Sequence, residues 1–178
     1  MNLLQRFVPI NGSQQDLKSF DCGEAGMNTF LHRSAEKHMG KNISSTFVLP
    51  VIEEGIIPGK NGKSSIVAYF TLTQTVVRRD GLPPSGGLPT KYPIPVFLLA
   101  RLAVDVRKQG EGLGELTLVT ALRRAWECTS FPGVSSYGLV IDVLNDQAMA
   151  FYKSFGTFER MSGDDMRLFI SNETLKGI

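Results

Sequence analysis

The segment Gln109-Gly110-Glu111-Gly112-Leu113-Gly114 sets three glycines at alternate positions, directly after an apolar run and directly before text of helical period. A glycine-rich turn between a strand and a helix leaves bare N–H groups pointing outward at the positive end of the helix dipole. That arrangement binds phosphate. The dinucleotide fingerprint G-x-G-x-x-G is not met, because the glycines follow one another too closely, and no Gly-Lys-Ser/Thr of a P-loop occurs. What stays is Gln-x-x-Gly-x-Gly, a loop chemistry suited to a phosphorylated ligand.

The elements that must hold this loop follow from periodicity. Residues 96–106 are apolar but for Arg101 and Asp105 and predict a buried strand. From Leu113 onward, Leu113, Leu116, Val119, Leu122 and Trp126 fall on one helical stripe. Residues 137–143 predict another strand, and Asn145 is a natural N-cap for a helix over 146–155 that Gly156 stops. Residues 158–170 supply a terminal pair of strands. Upstream, residues 7–10 read as a short strand, 11–15 as a polar turn and 24–38 as a helix. Residues 45–53 and 64–77 are β-rich and are separated by Pro58-Gly59-Lys60-Asn61-Gly62, a turn that closes an antiparallel pair. Residues 78–95 are rich in proline and glycine without periodicity, a surface excursion of the kind that carries function. The order β-α-β-β-β-α-β-α-β gives an α/β (α+β) class: a mixed, mostly antiparallel sheet flanked by helices, with a parallel pair near the glycine loop, in one domain over 1–178.

Gln-x-x-Gly-x-Gly resembles the pyrophosphate loop of the GNAT acetyltransferases, the acetyl-CoA-dependent N-acetyltransferases. Leu99-Ala100-Arg101-Leu102-Ala103-Val104-Asp105 is similar to that superfamily's pantetheine-pairing strand, and residues 145–158 resemble its next helix and turn. A narrower likeness is carried by Phe20-Asp21-Cys22-Gly23-Glu24, Met27-Asn28-Thr29-Phe30-Leu31, Ser45-Thr46-Phe47-Val48, Tyr92-Pro93-Ile94-Pro95 and Ala150-Phe151-Tyr152-Lys153. These are similar to GNAT toxins of bacterial toxin–antitoxin modules, which acetylate the amino group of aminoacyl-tRNA and stop translation. The likeness spans residues 6 to 170 and departs at Gly156-Thr157-Phe158, one residue longer than the usual Gly-Phe.

The resemblance implies acetyl-CoA as cosubstrate and a role for each matching position. The pyrophosphate falls to the backbone of Gly110, Glu111, Gly112, Leu113 and Gly114, flanked by Gln109 and Glu115. Pantetheine falls to the backbone of Leu102, Ala103 and Val104, with the Val104 N–H as oxyanion donor and Asn145 on a pantetheine amide, a role that competes with capping. Tyr152 is implied as general acid toward the departing sulfur. On spacing alone Ala148, Phe151, Tyr152 and Phe155 share one helical face, which also suits a core aromatic. The toxin likeness further implies a homodimer and a small ribbon-helix-helix antitoxin.

Acyl transfer to an amine needs an unprotonated nucleophile. Both histidines, His32 and His38, lie in the first half of the chain and are expected at the surface or facing a partner. Glu111 and Asp105 remain as bases acting through water. An α-amine with a pKa of about 7.7–8.0 needs less help at neutral pH than a lysine near about 10.4, so the lack of a histidine base fits an aminoacyl ester. Arg78, Arg79, Lys91, Arg101, Lys108 and Lys153 are candidates for RNA phosphate contacts. Residues 78–124 hold eight Lys/Arg against four Asp/Glu, whereas 125–178 hold four against seven, an asymmetry that suits an anionic ligand.

With 42% apolar and 20% charged residues, the chain reads as an ordinary globular protein. It shows no signal peptide and no apolar run long enough to span a membrane, so a cytoplasmic location is expected. Cys22 and Cys128 lack any CxxC partner and give neither a disulfide framework nor a metal site. Two alternatives stay open: a GNAT enzyme for a small amine or protein N-terminus, and a non-catalytic regulatory module that binds CoA.

Overall fold

A computed structural model describes residues 6–51, 62–84, 87–89, 91–130 and 133–178. The hairpin turn expected over 58–62 lies, apart from Gly62, outside the described residues. The strands are β1 (Val8–Pro9), β2 (Gln15–Asp16), β3 (Ser45–Pro50), β4 (Ser64–Val77), β5 (Ile94–Val104), β6 (Gly138–Asp142), β7 (Glu159–Met161) and β8 (Asp164–Ser171). The helices among the described residues are α1 (Ala25–Arg33), α2 (Ala35–Gly40), α3 (Leu113–Ser130), α4 (Asp146–Lys153) and α5 (Asn172–Lys176). Strand order is β1-β3-β4-β5-β6-β8-β7, with β2 off this path and parallel to β4. The pairs β1/β3, β3/β4, β6/β8 and β7/β8 are antiparallel, and β5/β6 is parallel. The mixed, mostly antiparallel sheet and its parallel pair therefore stand as expected.

The chain divides into two compact units, residues 1–72 with 101–120 and residues 73–100 with 121–178. The core of the first gathers Phe20, Phe30, Leu31, Val48, Ile66 and Tyr69. There the Tyr69 hydroxyl donates to the Met27 carbonyl at 3.0 Å, and its ring meets Phe20 edge-on at 5.4 Å. The core of the second gathers Val77, Leu82, Ile94, Val96, Val140, Met161 and Phe169. Gly138 is required in β6: a Cβ there would stand 2.4 Å from the Ile170 carbonyl oxygen and 2.6 Å from the Phe169 ring.

Four expectations change. The helix expected over 24–38 is two helices, because Ser34 carries φ −119° and ends α1 while starting α2; serine competes with helical backbone bonding and marks such breaks. The break leaves Ala35 fully buried. The strand expected over 96–106 runs instead from Ile94 to Val104, since the Asp105 carboxylate accepts from the Arg107 N–H and caps a 3-10 turn. On α3 the buried positions are Leu113, Thr117, Leu118, Ala121, Leu122 and Ala125, whereas Leu116, Val119 and Trp126 are half-buried. Small residues at i, i+4 and i+8 carry the buried face, which a search for large apolar residues overlooks. Finally, neither histidine sits free at the surface: His32 Nε2 bonds the Phe20 carbonyl at 2.9 Å, and His38 packs edge-on against Phe30 at 5.5 Å.

Candidate active site

The glycine loop links the 3-10 turn Val106–Lys108 to α3. Gly110 and Gly112 have φ of +81° and +79°, a conformation glycine adopts without the Cβ clash that other residues meet. The first α3 amide to find a carbonyl is that of Leu116, which donates to Gly112 at 3.1 Å. Among the described residues the N–H groups of Gly110, Glu111, Gly112, Leu113, Gly114 and Glu115 have no acceptor. Orphan amides at a helix N-terminus, joined by two left-handed glycines, form a concave donor cluster that fits a diphosphate.

Of the flanking side chains, Gln109 and Asp105 are tied to the protein, while Glu111 and Glu115 are exposed. Gln109 Nε2 donates to the carbonyls of Val104 at 2.9 Å and Cys22 at 3.2 Å, so this side chain ties the loop to the protein. Asp105 is fully buried. Its carboxylate accepts from the Arg107 N–H at 3.0 Å, Arg107 Nε at 2.7 Å, Arg107 Nη2 at 2.8 Å and the Asp21 N–H at 3.2 Å. Desolvation pushes its pKa up, but these bonds outweigh burial and hold it below the ordinary carboxylate range. A carboxylate so engaged is a poor base, which removes Asp105 from the list of bases. Lys108 Nζ pairs with Glu111 across 3.4 Å. The Arg101 guanidinium lies over the Phe30 ring at 3.8 Å and is spent on packing.

Upstream of the loop, β5 pairs with β6 only over Phe97–Leu99. The Asp105 N–H donates to the Val67 carbonyl on β4. At the other end of β5 the Phe97 N–H reaches Ser136 Oγ, beside β6, at 3.1 Å. Peptide groups alternate along a regular strand, so N–H groups an even number of residues apart that face opposite edges mark a break in the alternation between Phe97 and Asp105.

In the second unit, Asn145 caps α4 by accepting the Ala148 N–H at 2.9 Å. Capping occupies its side-chain oxygen and leaves its amide nitrogen. Tyr152, one helical turn further on from Ala148, is buried between Phe151 and Phe158, with ring centroids 5.2 and 5.9 Å away. Burial pushes its phenol well above the usual range, and its hydroxyl has no hydrogen-bond partner among the described residues.

The same unit contains a cleft of about 550 Å³ lined by Arg78, Arg79, Asp80, Lys91, Tyr92 and Pro93. Arg78 pairs with Asp80 at 3.2 Å, both well exposed, and the Tyr92 side chain is 71% exposed. Three of the candidate RNA contacts thus share one concavity, while Lys108 is engaged in the loop and Lys153 is exposed on α4. Tyr92, Asp21 and Asn28 each fall in a motif that the sequence displays, yet the sequence assigned none of them a role; the exposed Tyr92 ring lines the cleft.

No family model matches the chain. A tRNA-acetylating toxin of Mycobacterium tuberculosis is 29% identical over 155 residues, covering 87% of this chain and 85% of that protein. KacT, solved as a tyrosine-to-phenylalanine variant, superposes with a TM-score of 0.82 at 26% identity, over 97% of this chain and 98% of its own. AtaT in complex with acetyl-methionyl-tRNAfMet gives 0.81 at 26% identity over 96% of each chain. In sequence and in fold the chain is similar to these toxins. AtaT has also been solved with acetyl-CoA and with its antitoxin AtaR; at 24% identity, those structures speak for the fold alone. Among the described residues no group of acidic, histidine or cysteine side chains suits a metal ion, and no helix is long and apolar enough to cross a membrane.

Proposed function

We propose that this chain transfers the acetyl group of acetyl-CoA to the α-amino group of an aminoacyl-tRNA and so blocks translation as the toxin of a toxin–antitoxin pair. The observation that carries the reading is the cluster of unpartnered amides from Gly110 to Glu115 at the start of α3, in a chain that shares its fold with tRNA-acetylating proteins. Bound acetyl-CoA supplies a thioester-activated acyl group. The loop amides hold the diphosphate, with Gln109 bracing them and Glu115 beside them. The Leu102, Ala103 and Val104 backbone aligns the pantetheine arm, and the Val104 N–H faces the oxygen on which negative charge develops.

As the C–N bond forms and the C–S bond breaks, the leaving sulfur gains charge and the nitrogen sheds a proton to water. Tyr152 stays protonated at neutral pH because burial disfavours its phenolate. It therefore acts on the sulfur chiefly as a hydrogen-bond donor in the transition state. With Asp105 bound up and both histidines packed, the α-amine of an aminoacyl ester, already partly neutral, is the acceptor that needs least from the protein.

Arg78, Arg79 and Lys91 line the cleft that takes RNA phosphate, with Lys108 and Lys153 as outlying contacts. Residues 1–178 act as a single acetyltransferase domain, since β4, β5 and α3 each run through both compact units. The working form is a cytoplasmic homodimer silenced by a ribbon-helix-helix antitoxin.

The test is acetyl transfer from labelled acetyl-CoA into acid-precipitable aminoacyl-tRNA, set against small amines and peptides with free N-termini. The expected result is label in RNA and a loss of about 10²–10³ in turnover for Tyr152→Phe. Label in peptides or amines alone sinks the tRNA reading. Acetyl-CoA binding without any transfer favours a regulatory module.

A further inference from the structure

The motif Phe20-Asp21-Cys22-Gly23 and the nearby Asn28 take no part in the chemistry above, yet an unbroken run of hydrogen bonds joins them to the glycine loop. Asn28 stands at the centre. Its Nδ2 donates to Asp21 Oδ1 at 2.7 Å, and its Oδ1 accepts from the Cys22 N–H at 3.0 Å. The Gly23 N–H also donates to Asp21 Oδ1, at 2.9 Å, and Gly23 has φ +87°. The resulting turn is pinned to the end of β5: the Asp21 N–H donates to Asp105 Oδ2 at 3.2 Å, and the Asp21 carbonyl accepts from the Val106 N–H at 2.8 Å. The outward Cys22 carbonyl then accepts from Gln109 Nε2 at 3.2 Å.

We infer that Asn28, acting through the Cys22 carbonyl and Gln109, is a positioning residue that sets the direction of the loop amides toward the diphosphate of acetyl-CoA. The inference rests on the reading of that loop as the diphosphate site. Two glycines at positive φ give the loop the freedom to form and also the freedom to wander. A ligand that must order the loop loses affinity accordingly. Anchoring the residue before the first glycine at two carbonyls removes that freedom before the ligand arrives. Position 28 must donate to a carboxylate and accept from an amide at once, which a carboxamide of this reach does.

Calorimetric titration of the full chain with acetyl-CoA tests this, using wild type, Asn28→Ala, Gln109→Ala and the double variant. Each single change is expected to weaken binding about tenfold, the loss of roughly one net hydrogen bond. The double variant is expected to bind no more weakly than Gln109→Ala, because Asn28 works through that residue. Asn28→Asp keeps the side-chain volume and the acceptor for Cys22 while setting a second carboxylate against Asp21. It is expected to lose about as much as Asn28→Ala and covers the case in which alanine impairs folding. A double variant weakened about a hundredfold, or Asn28 variants that bind like wild type, would overturn the inference. Absence of heat with the wild-type chain overturns the coenzyme reading of the loop itself; wild-type heat with unaffected variants overturns only the role of Asn28.

Discussion

The glycine loop and the cationic cleft are built in opposite ways. The loop presents backbone amides, and two of its charged neighbours are paired beside it, Asp105 with Arg107 and Lys108 with Glu111. The cleft presents long side chains, and among the described residues only Arg78 of its three cations has an anionic partner, the exposed Asp80. A ligand of fixed shape, such as a diphosphate, rewards preorganised donors that need no reordering on binding. A polyanion that is read by charge rewards mobile cations, which follow its backbone at the cost of strong salt dependence. The two regions should therefore fail differently when disturbed, and each can be disturbed alone.

The largest separation is expected from Gly112→Val. A β-branched residue at φ +79° is strained, and relief turns the adjoining amides away from the ligand. Acetyl-CoA affinity should fall about a hundredfold by calorimetry, while retention of aminoacyl-tRNA on a filter stays within about twofold. Equal losses of both ligands would erase the contrast between the regions.

The converse variant, Arg79→Glu with Lys91→Glu, is expected to raise the KM for aminoacyl-tRNA tenfold or more and to leave the KM for acetyl-CoA unchanged. The slope of log Kd for RNA against log salt should shrink by about two, one for each phosphate contact removed. An unchanged salt slope would show that these cations do not meet RNA.

The same contrast explains what the sequence disclosed. Local pattern carries local structure: glycine spacing announced the turns at Gly110 and Gly112, Asn145 announced its cap, and β4 was legible because apolar and β-branched residues fill it from Ile66 to Val77 with Gln74 the single interruption. The clasp behind the loop was hidden, since Asp21 and Asp105 meet across 84 residues and nothing in the spacing of either signals the other. The buried face of α3 was read only at Leu113 and Leu122, for a related reason. Thr117, Ala121 and Ala125 pack because they are small, whereas a pattern search weighs size and hydrophobicity and so picks Leu116, Val119 and Trp126. Grouping Arg78, Arg79 and Lys91 around one cleft likewise required the fold, because basic residues in sequence are far more often scattered and solvated.

The clasp gives the smallest of these effects and a distinct pH signature. Asp105 is held below its ordinary pKa of 3.8, because the Arg107 and Asp21 bonds favour the carboxylate more than burial disfavours it. A group whose folded pKa is depressed stabilises the fold at pH above its unfolded value, and that contribution is lost as pH falls through the folded value. Asp105→Asn keeps the shape and discards the charge. Arg107 is half exposed in its side chain and is not left buried and unpaired, so the loss at neutral pH should be modest, about 1 kcal/mol in urea unfolding. Above pH 5 the gap between wild type and variant should be constant. Below pH 4 it should narrow, as acidification takes from the wild type what the variant already lacks. A gap that stays constant down to pH 2 would mean that the Asp105 charge contributes nothing to holding the strand end, and the braced character assigned to the loop would then rest on Asn28 and Gln109 alone.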